Sequence, residues 1–374
     1  MKELMFTPGP TEVSPHVLRA ISKPLMNPDL DARFFEIYDA LCDKIRIIAG
    51  TKNDLFVMSG EGMVALDSAV ANLVEPKERV LAISSGVFGD GFVDLVKSYG
   101  GRPLVVKAEY NEVVAPNQVD RELEKRKDIR VATFVHCETP NGTIAPLETI
   151  GKVCNDHDIT LIADTVSTLG GVPVDSDRNH VDICLGASQK CFSSPPGLAI
   201  ISVSDRAWEK IERRKRRVES FYLRLMEWKK MWLGERTFPY TQSVSEIFAL
   251  DRSLGLILNE GISNVYQRHS RVADYVRDSC EELGLELFPL TRDICSDTVT
   301  ALKVPSGIED AALRERMRTK YGVVISGSWG KLSGRVIRLG HMGFNAQMHK
   351  ARSAINALAR SLSDGGRQRP SALI

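Results

Sequence analysis

Two hydrophobic rhythms alternate along the chain. Short apolar runs recur at Leu55–Met58, Val80–Ser84, Leu104–Lys107, Val131–His136, Ile159–Ala163, Val181–Leu185 and Leu198–Val203. Turn-forming or charged residues bound each run, the pattern of buried strands. Between them the apolar spacing becomes helical. Phe34, Ile37, Leu41, Ile45 and Ile48 mark an amphipathic helix, and Gly50 ends it. Met63–Leu73 and Ile144–His157 read as further helices. Strands alternating with helices predict an α/β fold with a mostly parallel sheet, covered on both faces. Ligands of such sheets sit at the carboxyl ends of strands, where Asp164 and Thr139 fall. From Asp251 a long helix is expected to lead into a smaller C-terminal part. Its strands are predicted at Thr298–Val304, Val323–Ser326 and Arg335–Leu339, and Gly365–Ile374 as a frayed end.

Composition narrows the class. The 374 residues suffice for one large and one smaller domain. Hydrophobic content of 43% and charged content of 26% belong to an ordinary soluble protein. A formal net charge of +1 gives no field to attract nucleic acid or an anionic membrane. The basic run Lys210–Arg217 stands alone and reads as a solvated helix surface. No apolar run approaches the ~20 residues of a membrane span, and the start MKELMFTPGP lacks a signal-peptide core. The seven cysteines form no CxxC or Cys/His cluster. Reduced thiols in the cytoplasm are expected, with no metal site.

The candidate chemistry lies in VDICLGASQKCFSSPPG, Val181 to Gly197. Lys190 sits just past the strand, and Pro195, Pro196 and Gly197 fix the turn after it. Asp164 ends the strand before. A lone lysine after a strand is usually a surface residue, and a lone aspartate there is usually a cap or turn former. Together they match the needs of a pyridoxal-type aldehyde: an amine for a Schiff base, and a carboxylate to keep a proton on the ring nitrogen. Ser59-Gly60-Glu61-Gly62 joins a strand to a helix start, a general anion cradle. It lacks the third glycine of a dinucleotide fingerprint. Arg338 alternates with apolar residues in VIRLGHMG. Buried there it needs a partner, and its fork suits a carboxylate.

From TPGPT at Thr7–Thr11 to RLGHMG at Arg338–Gly343, the chain resembles the class V aminotransferases of fold type I, the serine–pyruvate and alanine–glyoxylate transaminase group. The resemblance implies a large domain, residues 16–255, with a seven-stranded sheet, after an N-terminal arm, residues 1–15. A smaller α+β domain, residues 256–374, follows. It makes Lys190 and Asp164 the catalytic pair. It places pyridoxal phosphate against Glu61, Gly62, Met63, Phe88, Thr139, Asp164 and Gln189, with Phe88 stacked on the ring and Thr139 contacting it. Gly9 lies near the substrate carboxylate, which Arg338 grips. Phe238 and Thr241 belong to a segment that reaches a partner's cofactor, which implies a homodimer, or a tetramer built from it, with shared sites.

The chain departs from the family pattern at the cradle. The usual Ser-Gly-Ser-Gly-Thr/His reads here Ser-Gly-Glu61-Gly-Met63. A carboxylate beside a phosphate repels it, by ~1 kcal/mol per charge pair at ~4 Å in water and ~4 at an effective dielectric of ~20. One branch of the family, which transfers the amino group of pyridoxamine to pyruvate, carries the same Gly-Glu. GVFGDGF, FPYTQSVSEI, LNEG, YGVVIS and RLGHMG agree with that branch. Gln189 does not, because the branch has Asn there. The expected reaction is pyridoxamine plus pyruvate to pyridoxal plus alanine, with the unphosphorylated vitamer bound as substrate at Lys190. The alternative is an alanine/serine–glyoxylate (or –pyruvate) transaminase that uses pyridoxal phosphate. A lyase of the same fold would need a mobile cysteine loop, and Cys137 and Cys191 sit in none.

Overall fold

The computed structural model describes residues 3–365. Its elements run α1 (Ala32–Ala49), β1 (Asp54–Ser59), α2 (Gly62–Leu73), β2 (Arg79–Ser84), α3 (Val87–Ser98), β3 (Arg102–Lys107), α4 (Pro116–Lys125), β4 (Val131–Val135), α5 (Leu147–Asp156), β5 (Thr160–Asp164), β6 (Ile183–Ala187) and β7 (Leu198–Val203). Then come α6 (Val244–Glu260), α7 (Ile262–Glu282), β8 (Val299–Lys303), α8 (Asp310–Tyr321), β9 (Ser326–Gly327), β10 (Val336–Gly340) and α9 (Met348–Asp364), with shorter pieces between.

The large sheet has seven strands in the order β1-β7-β6-β5-β4-β2-β3. All its pairs are parallel except those of β7, which runs antiparallel to β1 and β6. Strands β4, β5 and β6 are buried along their whole length, which is why they read as near-continuous apolar runs. Helix α1 starts where the Asp31 carboxylate accepts the amide of Arg33 and ends at Gly50 in the left-handed region. Its Phe34, Tyr38, Leu41, Ile45 and Ile48 face the main core.

A second, separate apolar cluster gathers residues of α7, α8 and α9 with Leu302, Ile337 and Leu339 of a three-stranded antiparallel sheet ordered β8-β10-β9. Phe6 joins this cluster, and Leu4–Met5 pairs in parallel with Val323–Val324. The N-terminal segment is therefore stitched to the C-terminal part. The main cluster reaches Val265 and the second takes residues from Val272 onward, so the handover lies within α7.

Four segments differ from expectation. The helix expected from Ile144 starts at Leu147, because Thr143–Ile144 forms a hairpin with Cys137–Glu138 and Pro146 caps the helix. The long helix from Asp251 is two helices broken at Gly261, whose φ of +87° suits glycine. The strand expected at Val323–Ser326 splits, half to the N-terminal strand and half to β10. The helix under the basic run ends at Glu212. Beyond it, Arg214 donates to the carbonyls of Asn72 and Val74 and so caps the end of α2. Of the predicted frayed end, residues 366–374 lie outside the described residues.

Candidate active site

The carboxyl ends of β5 and β6 bring the two catalytic candidates together. Asp164 is the last residue of β5 and is buried. Its Oδ1 accepts the amide of Val166 at 2.9 Å. Burial pushes its carboxyl up to about 6, while the Val166 amide and the charge of Lys190 pull the other way and Glu61 adds a small push upward. The Asp164 carboxyl is thus more basic than a surface carboxylate, which suits a group that must hold a proton on a ring nitrogen.

Lys190 follows β6 in a tight turn. Thr11 braces that turn, its amide donating to the Gln189 carbonyl at 3.1 Å and its hydroxyl meeting the Ser193 hydroxyl at 2.9 Å. Lys190 Nζ donates to the Pro8 carbonyl at 2.9 Å. Gly9, at φ +115°, faces the lysine so closely that a Cβ would lie 2.5 Å from Nζ. The TPGPT segment is therefore a cover over the amine that only glycine permits. Burial, and then the charge of Arg338, lower the Lys190 pKa, and Asp164 opposes them. A lysine poised this way releases and regains a proton more readily than a solvated one.

Arg338, on β10, is buried. Its Nε donates to the Gly327 carbonyl at 2.7 Å and its Nη1 to the Thr139 carbonyl at 3.3 Å. Among the described residues no carboxylate pairs with it, and burial lowers its pKa to about 10, so it stays cationic at neutral pH. A buried guanidinium whose hydrogen bonds go to neutral carbonyls can take an incoming carboxylate. The Thr139 hydroxyl is buried and has no partner among the described residues, which leaves it open to a ligand. Phe88 opens α3, and its ring lies edge-on to Trp329 at 6.0 Å.

Two residues here were not singled out from the sequence. Glu138 accepts the amides of Phe88 at 3.0 Å and Gly89 at 2.6 Å, and so fixes the loop that presents the Phe88 ring. Burial pushes its carboxyl up to about 8. It stands within HCETPNG, and only the hydroxyl residue of that turn drew attention. Trp329, in a Gly/Ser-rich loop, gave no signal at all.

The other end of the site is built differently. Glu61 is the N-cap of α2; its Oε1 accepts the amide of Met63 at 3.0 Å, and its Oε2 accepts Gln189 Nε2 at 3.2 Å. The helix start that would receive an anion already carries one. Gly62 packs tightly, since a Cβ there would meet Val166 and Ala187 side chains at 3.2 and 3.4 Å. Met63 is 43% exposed and offers no donor. Thr241 is exposed near this end, two residues before Ser243, whose hydroxyl meets that of Ser59 at 3.2 Å. Phe238 does not reach the site. It is buried against Phe34, Phe35, Tyr38 and Trp228 and stacks on Trp232 at 4.6 Å, as an apolar ring with no polar edge should.

The family model described as Aminotransferase class-V matches residues 4–338. The chain belongs to the class V aminotransferases. It is 40% identical over 343 residues to an uncharacterised aminotransferase of Methanocaldococcus jannaschii, covering 92% of this chain and 88% of that one. It is 35% identical over 365 residues to the pyridoxamine–pyruvate transaminase of Mesorhizobium japonicum, covering 98% and 93%. The solved ureidoglycine–glyoxylate aminotransferase of Bacillus subtilis superposes with a TM-score of 0.95 at 29% identity, covering 100% and 96%.

Membership in the class V aminotransferases, with their fold type I architecture, implies a pyridoxal phosphate cofactor. The ring end of this site fits such a group: an amine and a carboxylate coupled in charge, an open hydroxyl at Thr139 and a ring at Phe88. The phosphate end fits poorly, because the Glu61 carboxylate holds the Met63 amide there. Cys137 and Cys191 are buried, and burial pushes both thiols up, Cys137 to about 11, so neither is a ready nucleophile. Among the described residues no group of His, Cys, Asp or Glu could hold a metal ion, and no helix is long and apolar enough to cross a membrane.

Proposed function

We propose that this class V aminotransferase transfers the amino group of free pyridoxamine to pyruvate, giving pyridoxal and alanine. The observation that carries the reading is the capping of α2 by Glu61. In the unphosphorylated vitamer the 5′ position is a hydroxymethyl group, whose single O–H can donate either to the Glu61 carboxylate or to Gln189 Oε1, which has no partner among the described residues. A phosphate there would face a like charge. The relative of Mesorhizobium japonicum named as a pyridoxamine–pyruvate transaminase supports this reading.

When bound, the pyridine ring serves as the electron sink for proton removal next to nitrogen. Asp164 holds the proton on the ring nitrogen. Lys190 Nζ takes and returns the proton at the carbon that bears the transferred nitrogen, and its lowered pKa assists both directions. Arg338 orients the oxo acid by its carboxylate, and Thr139 and Phe88 fix the plane of the ring. Gly9 and Pro8 cover the amine and limit water. A homodimer is part of the proposal, as are an N-terminal arm (1–15), a large domain (16–255) and a smaller domain (256–374) whose own apolar core begins farther along, within α7. The exposure of Thr241, Met63 and Tyr222, whose ring stacks on the half-buried Tyr240, supports a partner surface at this edge.

A second reading is a transaminase of alanine or serine with glyoxylate that uses pyridoxal phosphate. The match to the ureidoglycine–glyoxylate enzyme favours it. One assay separates the two: pyridoxamine plus pyruvate against alanine plus glyoxylate, each with and without added pyridoxal phosphate. Turnover of the first pair without added cofactor is expected. Turnover of the second pair alone, and only with cofactor, would refute the proposal.

A further inference from the structure

Trp329 is 50% exposed, while Trp208, Trp228 and Trp232 are buried. An indole left half in water is a poor use of a large apolar surface unless something covers it in the working state. Its position says what. The Arg338 guanidinium lies over its ring, 5.0 Å from the centroid, and the Phe88 ring meets it edge-on at 6.0 Å and 78°. The indole therefore bridges the residue that would hold the acid's carboxylate and the residue that would stack on the pyridine.

The loop that carries it is fixed at both ends. Before Trp329, β9 pairs Ser326 with Arg338 itself. The buried hydroxyl of Ser328 donates to the Pro140 carbonyl at 2.7 Å, beside Thr139. After it, Leu332 is buried with Ala301 and Val336. The chain thus leaves the strand beside the clamp, folds back over it and is anchored again three residues later. These anchors fix the backbone on either side of Trp329, and the contacts with Arg338 and Phe88 set where its indole lies.

We propose that Trp329 is the specificity-determining wall of the acceptor site: it steadies the Arg338 guanidinium and limits the 2-oxo acid to a small side chain. The proposal rests on the reading of Arg338 as the carboxylate clamp. An acid gripped by Arg338 has its remaining atoms in the space bounded by the indole and by Phe88. A methyl group, as in pyruvate, fits against an apolar face. A branched or long side chain would have to displace the indole from its contacts with Arg338 and Phe88. The cation over the ring also gives the guanidinium a fixed plane before substrate arrives, so less order is lost on binding.

The test measures KM and kcat for pyruvate, 2-oxobutyrate and 2-oxoisovalerate with the wild type, Trp329→Ala, Trp329→Phe and Arg338→Lys. Indole fluorescence of cofactor-free protein titrated with pyruvate gives a second readout. Trp329→Ala is expected to raise the pyruvate KM by about two- to fivefold, as loss of a cation–π contact implies, with kcat little changed. It should shift the preference toward 2-oxoisovalerate by about tenfold or more. Trp329→Phe should keep the preference for pyruvate, with a smaller rise in KM. Pyruvate should change the wild-type fluorescence, and that change should vanish in Trp329→Phe. If Arg338→Lys raises the pyruvate KM but neither Trp329 variant alters KM or preference, or the fluorescence change survives in Trp329→Phe, the proposal is overturned and the clamp stands. If Arg338→Lys leaves KM unchanged, the clamp reading itself fails.

Discussion

The two ends of the site are opposites in how their polar groups are satisfied. Among the described residues, at the ring end, Thr139 has a buried hydroxyl without a partner, Arg338 is a buried cation without an acidic partner, and Lys190 Nζ bonds only a carbonyl. At the other end, Glu61 bonds both a helix amide and the Gln189 side chain. Buried polar groups that the fold leaves open mark where a ligand is expected to supply the missing bonds. A helix start that the chain caps for itself marks where a ligand anion is not expected. The first end is that of a class V transaminase; the second carries the proposal that the vitamer is handled without its phosphate.

Removing the groups of the open end should have the largest effect. Lys190→Ala is expected to lower amino transfer by at least about 10⁴-fold, since it removes both the attacking amine and the proton carrier. Single-turnover rates with pyridoxamine check it, and residual turnover within a factor of about ten of wild type would break the account of this end. Asp164→Asn comes next. It should lower kcat by about 10²- to 10³-fold, the scale of losing a preorganised charge partner. It leaves the Glu61 end intact, so the preference between phosphorylated and free vitamer should not move.

Glu61→Ser sharpens the contrast from the other side. Replacing the carboxylate by a neutral cap keeps the helix start but removes the repulsion. Affinity for pyridoxal phosphate should rise by about tenfold or more, read by equilibrium titration of the cofactor-free protein. Unchanged affinity would mean that the two ends do not differ in the way argued.

The last effect concerns stability and its dependence on pH, and leaves the contrast between the two ends untouched. Glu138 has an ordinary value of 4.5 and is raised to about 8 in the fold, so the folded state binds the proton more tightly. Its contribution to stability is therefore fully present below about 4.5 and is lost as pH rises toward about 8. Glu138→Gln keeps no such window. The Tm difference between wild type and variant should shift against the wild type from pH 5 to pH 8. His136, lowered to about 4 by burial, acts in the opposite sense in both proteins and cancels in the comparison.

The strands of the large sheet were legible because β4, β5 and β6 are buried on both faces and so apolar throughout. Lys190, Asp164 and the Glu61 departure were legible because each stands in a distinctive turn at a strand end. What escaped depends on distant partners. Leu4–Met5 pairs with Val323–Val324 across nearly the whole chain, and no local pattern announces it. Phe238 matched a motif, yet five aromatic neighbours hold it in the core. Trp329 acquires meaning only where the fold lays it against Arg338 and Phe88.

The central claim is that this site takes a pyridoxal ring but not its phosphate, and one titration bears on it most directly. Cofactor-free protein is titrated in parallel with pyridoxal and pyridoxal phosphate, then desalted and analysed for bound phosphorus. Tighter binding of pyridoxal, with no phosphorus retained, is the predicted result. A yellow protein that keeps a stoichiometric phosphate and ignores free pyridoxamine would contradict it.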